Sequence, residues 1–234
     1  MSTFKISARA LTLSALAATA LLVSAPQVVA QDGSAISFSA NAALVSDYRF
    51  RGVSLSNEDF ALQGGFDISS ESGFYVGTWG SSIESYAGSE LELDIYGGYA
   101  TTLGDLDFDI GLLAYTYPGS SDTTYWEPYA SVGGSLGTVG WTLGAAYAFD
   151  QDSIGGQDNI YVYLDTSTGL GDSGLSLSTH FALEDGAFGD NKLDWALGLS
   201  YDLEKFSIGV NYVDTDVAGD ASDAGVVVSL SSSF

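Results

Sequence analysis

His180 is the only histidine in the chain, and there is no cysteine. It stands in the stretch LSTHFALED (177–185), in the same alternating phase as Ser176, Ser178 and Glu184. A serine–histidine–acid set needs a serine held as a nucleophile, commonly in a Gly-x-Ser-x-Gly turn. No serine here stands in such a motif, so His180 reads as an ordinary polar side chain and no catalytic residue is expected. The run DTDVAGDASD (214–223) spaces Asp214, Asp216, Asp220 and Asp223 closely but lacks the terminal Glu of a calcium-binding loop. It reads as a solvated loop, and neither a metal nor any other cofactor is expected. The remaining signal is positive charge. Arg49 and Arg51 sit two apart in SDYRFRGVSLS (46–56), in a chain that is otherwise rich in acid.

The first residues resemble a secretion signal. Lys5 and Arg9 precede an apolar run, ALTLSALAATALLV (10–23), and VVA ends at Ala30. That layout predicts a signal peptide over 1–30 and a mature chain over 31–234, and the run falls short of the roughly 20 residues of a membrane-spanning helix. With Lys5 and Arg9 set aside, the 30 acids face only four bases, Arg49, Arg51, Lys192 and Lys205. So acidic a chain is not expected to bind nucleic acid.

The elements that must position these residues have a period of two. Ile36, Phe38, Ala40, Ala42 and Leu44 alternate with Ser37, Ser39, Asn41 and Ala43. The same pattern recurs around Phe66, Ile95, Phe108, Leu143, Val162, Phe181, Leu197, Ile208 and Val228, with less regular stretches at 74–83 and 126–136. About twelve strands result, each with one apolar and one polar face. Tight turn sequences (69–73, 103–106, 136–140, 169–174, 202–205) alternate with longer connections (51–59, 84–89, 118–124, 150–158, 184–192, 213–224). This asymmetry, with strands of about ten residues, predicts an all-β fold: a transmembrane antiparallel up-and-down barrel in a bacterial outer membrane. Closure pairs every backbone group that lipid could not satisfy. The terminal Phe234, on the apolar phase of VVVSLSSSF, is similar to the signal that outer-membrane proteins present to the barrel-assembly machinery.

SDYRFRG, QGGFD, GFYVGTWGS and ELDIYGGY, all within residues 46–99, resemble the TorF-type porin family of proteobacteria, formerly conserved outer-membrane proteins of unknown function. The resemblance implies an outer-membrane barrel with a pore role and brings no catalytic residues.

The apolar phase must face lipid, because charge there costs about 2–4 kcal/mol near the midplane. The polar phase then lines the lumen. Asp47, Arg49 and Arg51 are expected near the outer end of the first strand, facing Glu90, Glu92, Asp94 and Glu127 as a charge network or constriction. Arginine suits this role because its fork of donors can bridge several carboxylates. Tyr48, Tyr115, Tyr117, Tyr125, Trp126 and Tyr147 are expected in an outer aromatic girdle, and Tyr99, Tyr201 and Phe234 in an inner one. The expected function is passive diffusion of small solutes or ions, with cations favoured by the acidic lumen. The expected surroundings are outer-membrane lipid and lipopolysaccharide. The alternative is a closed structural or adhesive barrel acting through its acidic outer loops.

Overall fold

The computed structural model describes residues 35–234, so the expected signal peptide lies outside the described residues. The strands are β1 (Ile36–Val45), the short β2 (Arg49–Phe50) and β3 (Val53–Ser54), β4 (Ala61–Ser70), β5 (Phe74–Tyr86), β6 (Ser89–Leu103) and β7 (Leu106–Thr116). They continue with β8 (Tyr125–Leu136), β9 (Val139–Gln151), β10 (Gln157–Gly169), β11 (Leu175–Gly186), β12 (Gly189–Leu203), β13 (Phe206–Thr215) and β14 (Gly225–Ser233). Twelve of them form one closed antiparallel barrel, in which β1 pairs with β4 on one side and with β14 on the other. The closing register pairs Val45 with Ser229 and Asn41 with Ser233. β2 and β3 form a separate two-stranded sheet.

Period-two alternation sets which side chains meet lipid. Phe38, Phe66, Ile95, Ile110, Leu143, Phe181, Leu197, Val210 and Val228 are all exposed, on the outward face. The inward set on the same strands is polar, small or aromatic. With this apolar outer surface and no open edge, the fold is a transmembrane β-barrel.

The end that carries the start of β1 and the end of β14 is called the inner end here. Its turns are tight, as the sequence predicts; Leu103 pairs with Leu106 and Leu136 with Val139. The outer connections are less uniform than predicted. Those expected over 84–89 and 184–192 are hairpins with only two residues between strands, Ala87–Gly88 and Ala187–Phe188. At the first, Ala87 and Gly88 have φ of 50° and 86°, the paired positive values of a type I′ turn, which matches strand twist.

Candidate lumen constriction

The largest departure from the sequence reading is at its most conspicuous residues. The first strand does not climb through Arg51. It ends at Val45, and residues 46–56 fold inward over the lumen. There β2 and β3 form a hairpin, with Arg49 paired to Ser54 and Phe50 to Val53. Its two-residue tip is Arg51–Gly52, with φ of 50° and 87°, again a type I′ turn. A Cβ at Gly52 would lie 2.8 Å from Cβ of Thr215 and 3.0 Å from Cβ of Asp194, so the tip is pressed against the β12–β13 wall.

Arg49 serves the hairpin's base. It pairs with Asp47 through Nε and with Glu58 at 3.2 Å through Nη2. Its Nη1 donates to the carbonyls of Asp223 (2.8 Å) and Ala221 (3.3 Å), tying the hairpin to the β13–β14 connection. Asp47 also accepts from the Ser54 and Ser56 hydroxyls, at 2.6 and 3.1 Å.

Arg51 crosses to the barrel wall. Its Nη2 donates to both oxygens of Glu127 on β8 (2.8 and 2.7 Å), and its Nη1 donates to Oε1 of Glu184 on β11 (2.6 Å). The guanidinium lies 4.2 Å from the Tyr161 ring centroid and 4.7 Å from that of Phe50. Lys192 Nζ meets Glu184 at 2.5 Å, Asn159 donates to it at 2.9 Å, and the Tyr115 hydroxyl donates to Glu127 at 2.9 Å. The side chains of Glu127 and Glu184 are 1 % and 0 % exposed. Burial alone would lower the Arg51 pKa, but Glu127, Tyr115 and Glu184 more than reverse it, so the guanidinium holds its proton well beyond the ordinary arginine range.

Of the expected carboxylates, Glu92 is in the belt but is held by phenols: Tyr48 donates at 2.5 Å and Tyr117 at 3.1 Å. Asp94 is buried beside it on β6, and neither of its carboxylate oxygens has a hydrogen-bond donor. Glu90 is not part of the network. The β5–β6 register shifts between Ser82 and Tyr86, Ser89 is the buried residue, and Glu90 is left exposed. An irregularity of this kind moves a side chain to the other face.

Below the hairpin the lumen changes character. Tyr96 donates to Asp67 (2.5 Å), and Tyr75 donates to Asp109 (2.6 Å) while meeting the Tyr129 hydroxyl (2.5 Å). His180 sits between Asp165 (Nδ1, 2.6 Å) and Asp194 (Nε2, 3.1 Å), with the Tyr161 hydroxyl 2.8 Å from Nε2. Its ring nitrogens face two carboxylates and a phenol rather than a serine. Four tyrosines lie flat against the wall, each over the glycine paired with it on the next strand. Tyr96 covers Gly77, Tyr75 covers Gly98, Tyr129 covers Gly111 and Tyr163 covers Gly144. A Cβ at Gly144 would come within 2.2 Å of the Tyr163 ring, so only glycine permits this arrangement.

The outer girdle needs a correction. Trp126 and Tyr147 do face outward, but Tyr48, Tyr115 and Tyr125 are buried and Tyr117 is half-buried. Tyr115 and Tyr125 occupy the inward phase of β7 and β8, and Tyr48 belongs to the infolded segment. The inner set, Tyr99, Tyr201 and Phe234, is exposed on the outside. Sequence reasoning did not single out Lys192, Tyr161 or Glu58 for the network. A basic residue eight positions after Glu184 in an acidic chain was the signal for Lys192. Among the described residues, no group of three or more His, Cys, Asp or Glu is arranged to hold a metal ion.

The chain belongs to the Gcw_chp family, bacterial proteins of unknown function, which it matches over residues 29–233. No curated protein matches it in sequence. Among solved structures, the KdgM porin superposes with a TM-score of 0.61 at 9 % identity, covering 84 % of this chain and 99 % of that one. The NanC porin gives 0.55 at 14 % identity, covering 85 % and 99 %. Outer membrane phospholipase A from Escherichia coli gives 0.50 at 13 % identity, covering 84 % and 88 %. At these identities the likeness is one of fold.

Proposed function

We propose that this protein is an outer-membrane, porin-like channel for passive diffusion of small solutes, favouring cations, with the inserted hairpin as its constriction. The observation that carries this reading is water access inside the lumen. The Asp165 side chain remains 27 % exposed on the inward face of β10, as an open path below the hairpin requires. Asp67 and Asp109 are likewise only partly buried. Carboxylates lining a water-filled passage select for positive charge. Lying over glycines, the four tyrosines take up less of the cross-section than upright rings would. The porin folds of KdgM and NanC support the channel reading, as does the resemblance to TorF-type porins. One KdgM structure is described as a complex with disordered oligogalacturonate. The acidic lumen here argues for the opposite charge preference.

On this reading Phe234 is the residue offered to the barrel-assembly machinery, and the acidic outer loops lie beside lipopolysaccharide. The test is the reversal potential of the refolded mature protein in a planar bilayer under a potassium chloride gradient. A potential of the sign that favours potassium supports the proposal. A folded barrel that passes no current defeats it and moves function to the outer loops.

A further inference from the structure

Three partly exposed carboxylates line the lumen below the hairpin, and their partners differ in kind. Asp67 is met by the Tyr96 hydroxyl at 2.5 Å and Asp109 by the Tyr75 hydroxyl at 2.6 Å. A phenol donates a hydrogen bond and leaves the carboxylate its charge. Asp165 is met instead by Nδ1 of His180, at 2.6 Å. An imidazole can cancel the charge it meets, because it gains and loses a proton under ordinary conditions. Among the described residues, His180 is the only side chain at this depth that can turn positive. Arg49 and Arg51 belong to the hairpin, Lys192 is engaged by Glu184, and Lys205 lies exposed in the turn between β12 and β13, at the inner end.

The second ring nitrogen bears on the protonation state. Nε2 lies 2.8 Å from the Tyr161 hydroxyl and 3.1 Å from Oδ1 of Asp194, and that hydroxyl is 3.1 Å from the same oxygen. The Asp194 side chain is 1 % exposed and its Oδ2 has no partner, so Oδ1 depends on the donors of this cluster. A neutral ring protonated on Nδ1 leaves Tyr161 as the one donor for both Nε2 and Oδ1, and it can serve only one of them. That arrangement works only with Asp194 protonated. The imidazolium donates from both nitrogens, and Tyr161 is then free to donate to Asp194. A carboxylate at each end of the ring favours the imidazolium. The other neighbours bring no competing charge. Ala196 stands opposite on β12, the Tyr163 ring lies 6.1 Å away, and Glu184 on the same strand is matched by Arg51 and Lys192.

We propose that His180 regulates the cation preference of the channel. As the imidazolium it offsets one carboxylate of the wall. On losing a proton it leaves Asp165, whose side chain is 27 % exposed, to act on a passing solute with its full charge. The inference rests on the channel reading and adds its regulation. The sign is set by the charge removed: raising the pH through this titration takes one positive charge from the wall, so cation preference rises. The change should be about twofold or more at low salt and smaller at high salt, because a wall charge open to water is screened.

His180 is the only histidine in the chain, so nitrogen NMR of isotope-labelled histidine in the untagged, detergent-solubilised mature barrel reads this ring alone. Both ring nitrogens should be protonated at neutral pH, and one proton should leave in a single step as the pH is raised. In Asp165→Asn that step should come about one pH unit or more lower. In planar bilayers the reversal potential should rise over the same step in the parent and in Glu90→Gln, and not in His180→Gln, which has no ring to titrate. If His180→Gln does not fold, the shifted step in Asp165→Asn carries the comparison, in spectrum and potential alike. A ring with one protonated nitrogen at neutral pH, or a rise in potential that persists in His180→Gln, overturns the proposal. A current whose preference ignores His180 defeats the regulation alone. A folded barrel that passes no current defeats the channel reading, and the regulation with it.

Discussion

At the outer end of the lumen, Glu127 and Glu184 are 1 % and 0 % exposed and both are met by Arg51; at mid-depth, Asp165 keeps 27 % of its side chain open to solvent and is met only by His180. The two levels use the same acid chemistry for different ends. In the belt, charge is matched inside protein, and the gain is the fixed position of an inserted hairpin. In the inner vestibule, carboxylates stay wet, are steadied by phenols lying over glycines, and leave their charge to act on whatever passes. On the proposed reading, burial separates the acids that hold the hairpin from those that would act on a passing solute.

The strongest way to break the comparison is to remove the cation from the belt. Arg51→Ala leaves Glu127 buried beside Tyr115, and Glu184 with Lys192 and Asn159. Breaking a buried ion pair from one side costs about 3–5 kcal/mol. The urea midpoint of the refolded barrel should fall accordingly, with Arg51→Lys recovering part of the loss because an ammonium cannot bridge as a fork does. An unchanged midpoint would mean that the hairpin is held by its base alone.

A second variant acts on the vestibule wall. Gly144→Leu should drive the Tyr163 ring off the wall and lower single-channel conductance. Gly140→Leu is the control, because a Cβ there meets nothing nearer than 3.4 Å, and it should reduce conductance less. Equal effects would remove the argument from flat rings. The double variant Asp67→Asn/Asp109→Asn should move the reversal potential toward zero. Its cost in stability should stay under about 1 kcal/mol, because half-exposed acids contribute little to folding. The smallest expected effect is that of Glu90→Gln. It should leave conductance alone and shift stability by less than about 0.5 kcal/mol, since an exposed residue outside the network has little to lose.

The barrel itself was legible because its cause is periodic. Lipid on one side and water on the other force alternation, and strands such as Ile36–Val45 and Phe206–Thr215 carry it openly. Arg51 and Glu127 could be placed at one height from strand direction alone. The infolded hairpin was not legible, because its turn is Arg–Gly rather than the Asn–Gly or Asp–Gly that usually announces a type I′ tip. Phase continued from Ile36 through Arg51 therefore looked unbroken. Glu90 was misplaced for a related reason. A register shift near Ser89 leaves no mark in the pattern of residue types. Tyr115 and Tyr125 were assigned by height when phase was the better guide.

The central claim is that residues 46–56 fold into the lumen and set its narrowest point. Its most direct test is single-channel conductance after residues 47–56 are replaced by a short Gly/Ser linker, in a barrel shown to be folded by its heat-modifiable migration on a gel. The account predicts larger current steps with cation preference retained, because Asp67, Asp109 and Asp165 remain. Steps of unchanged size would contradict it.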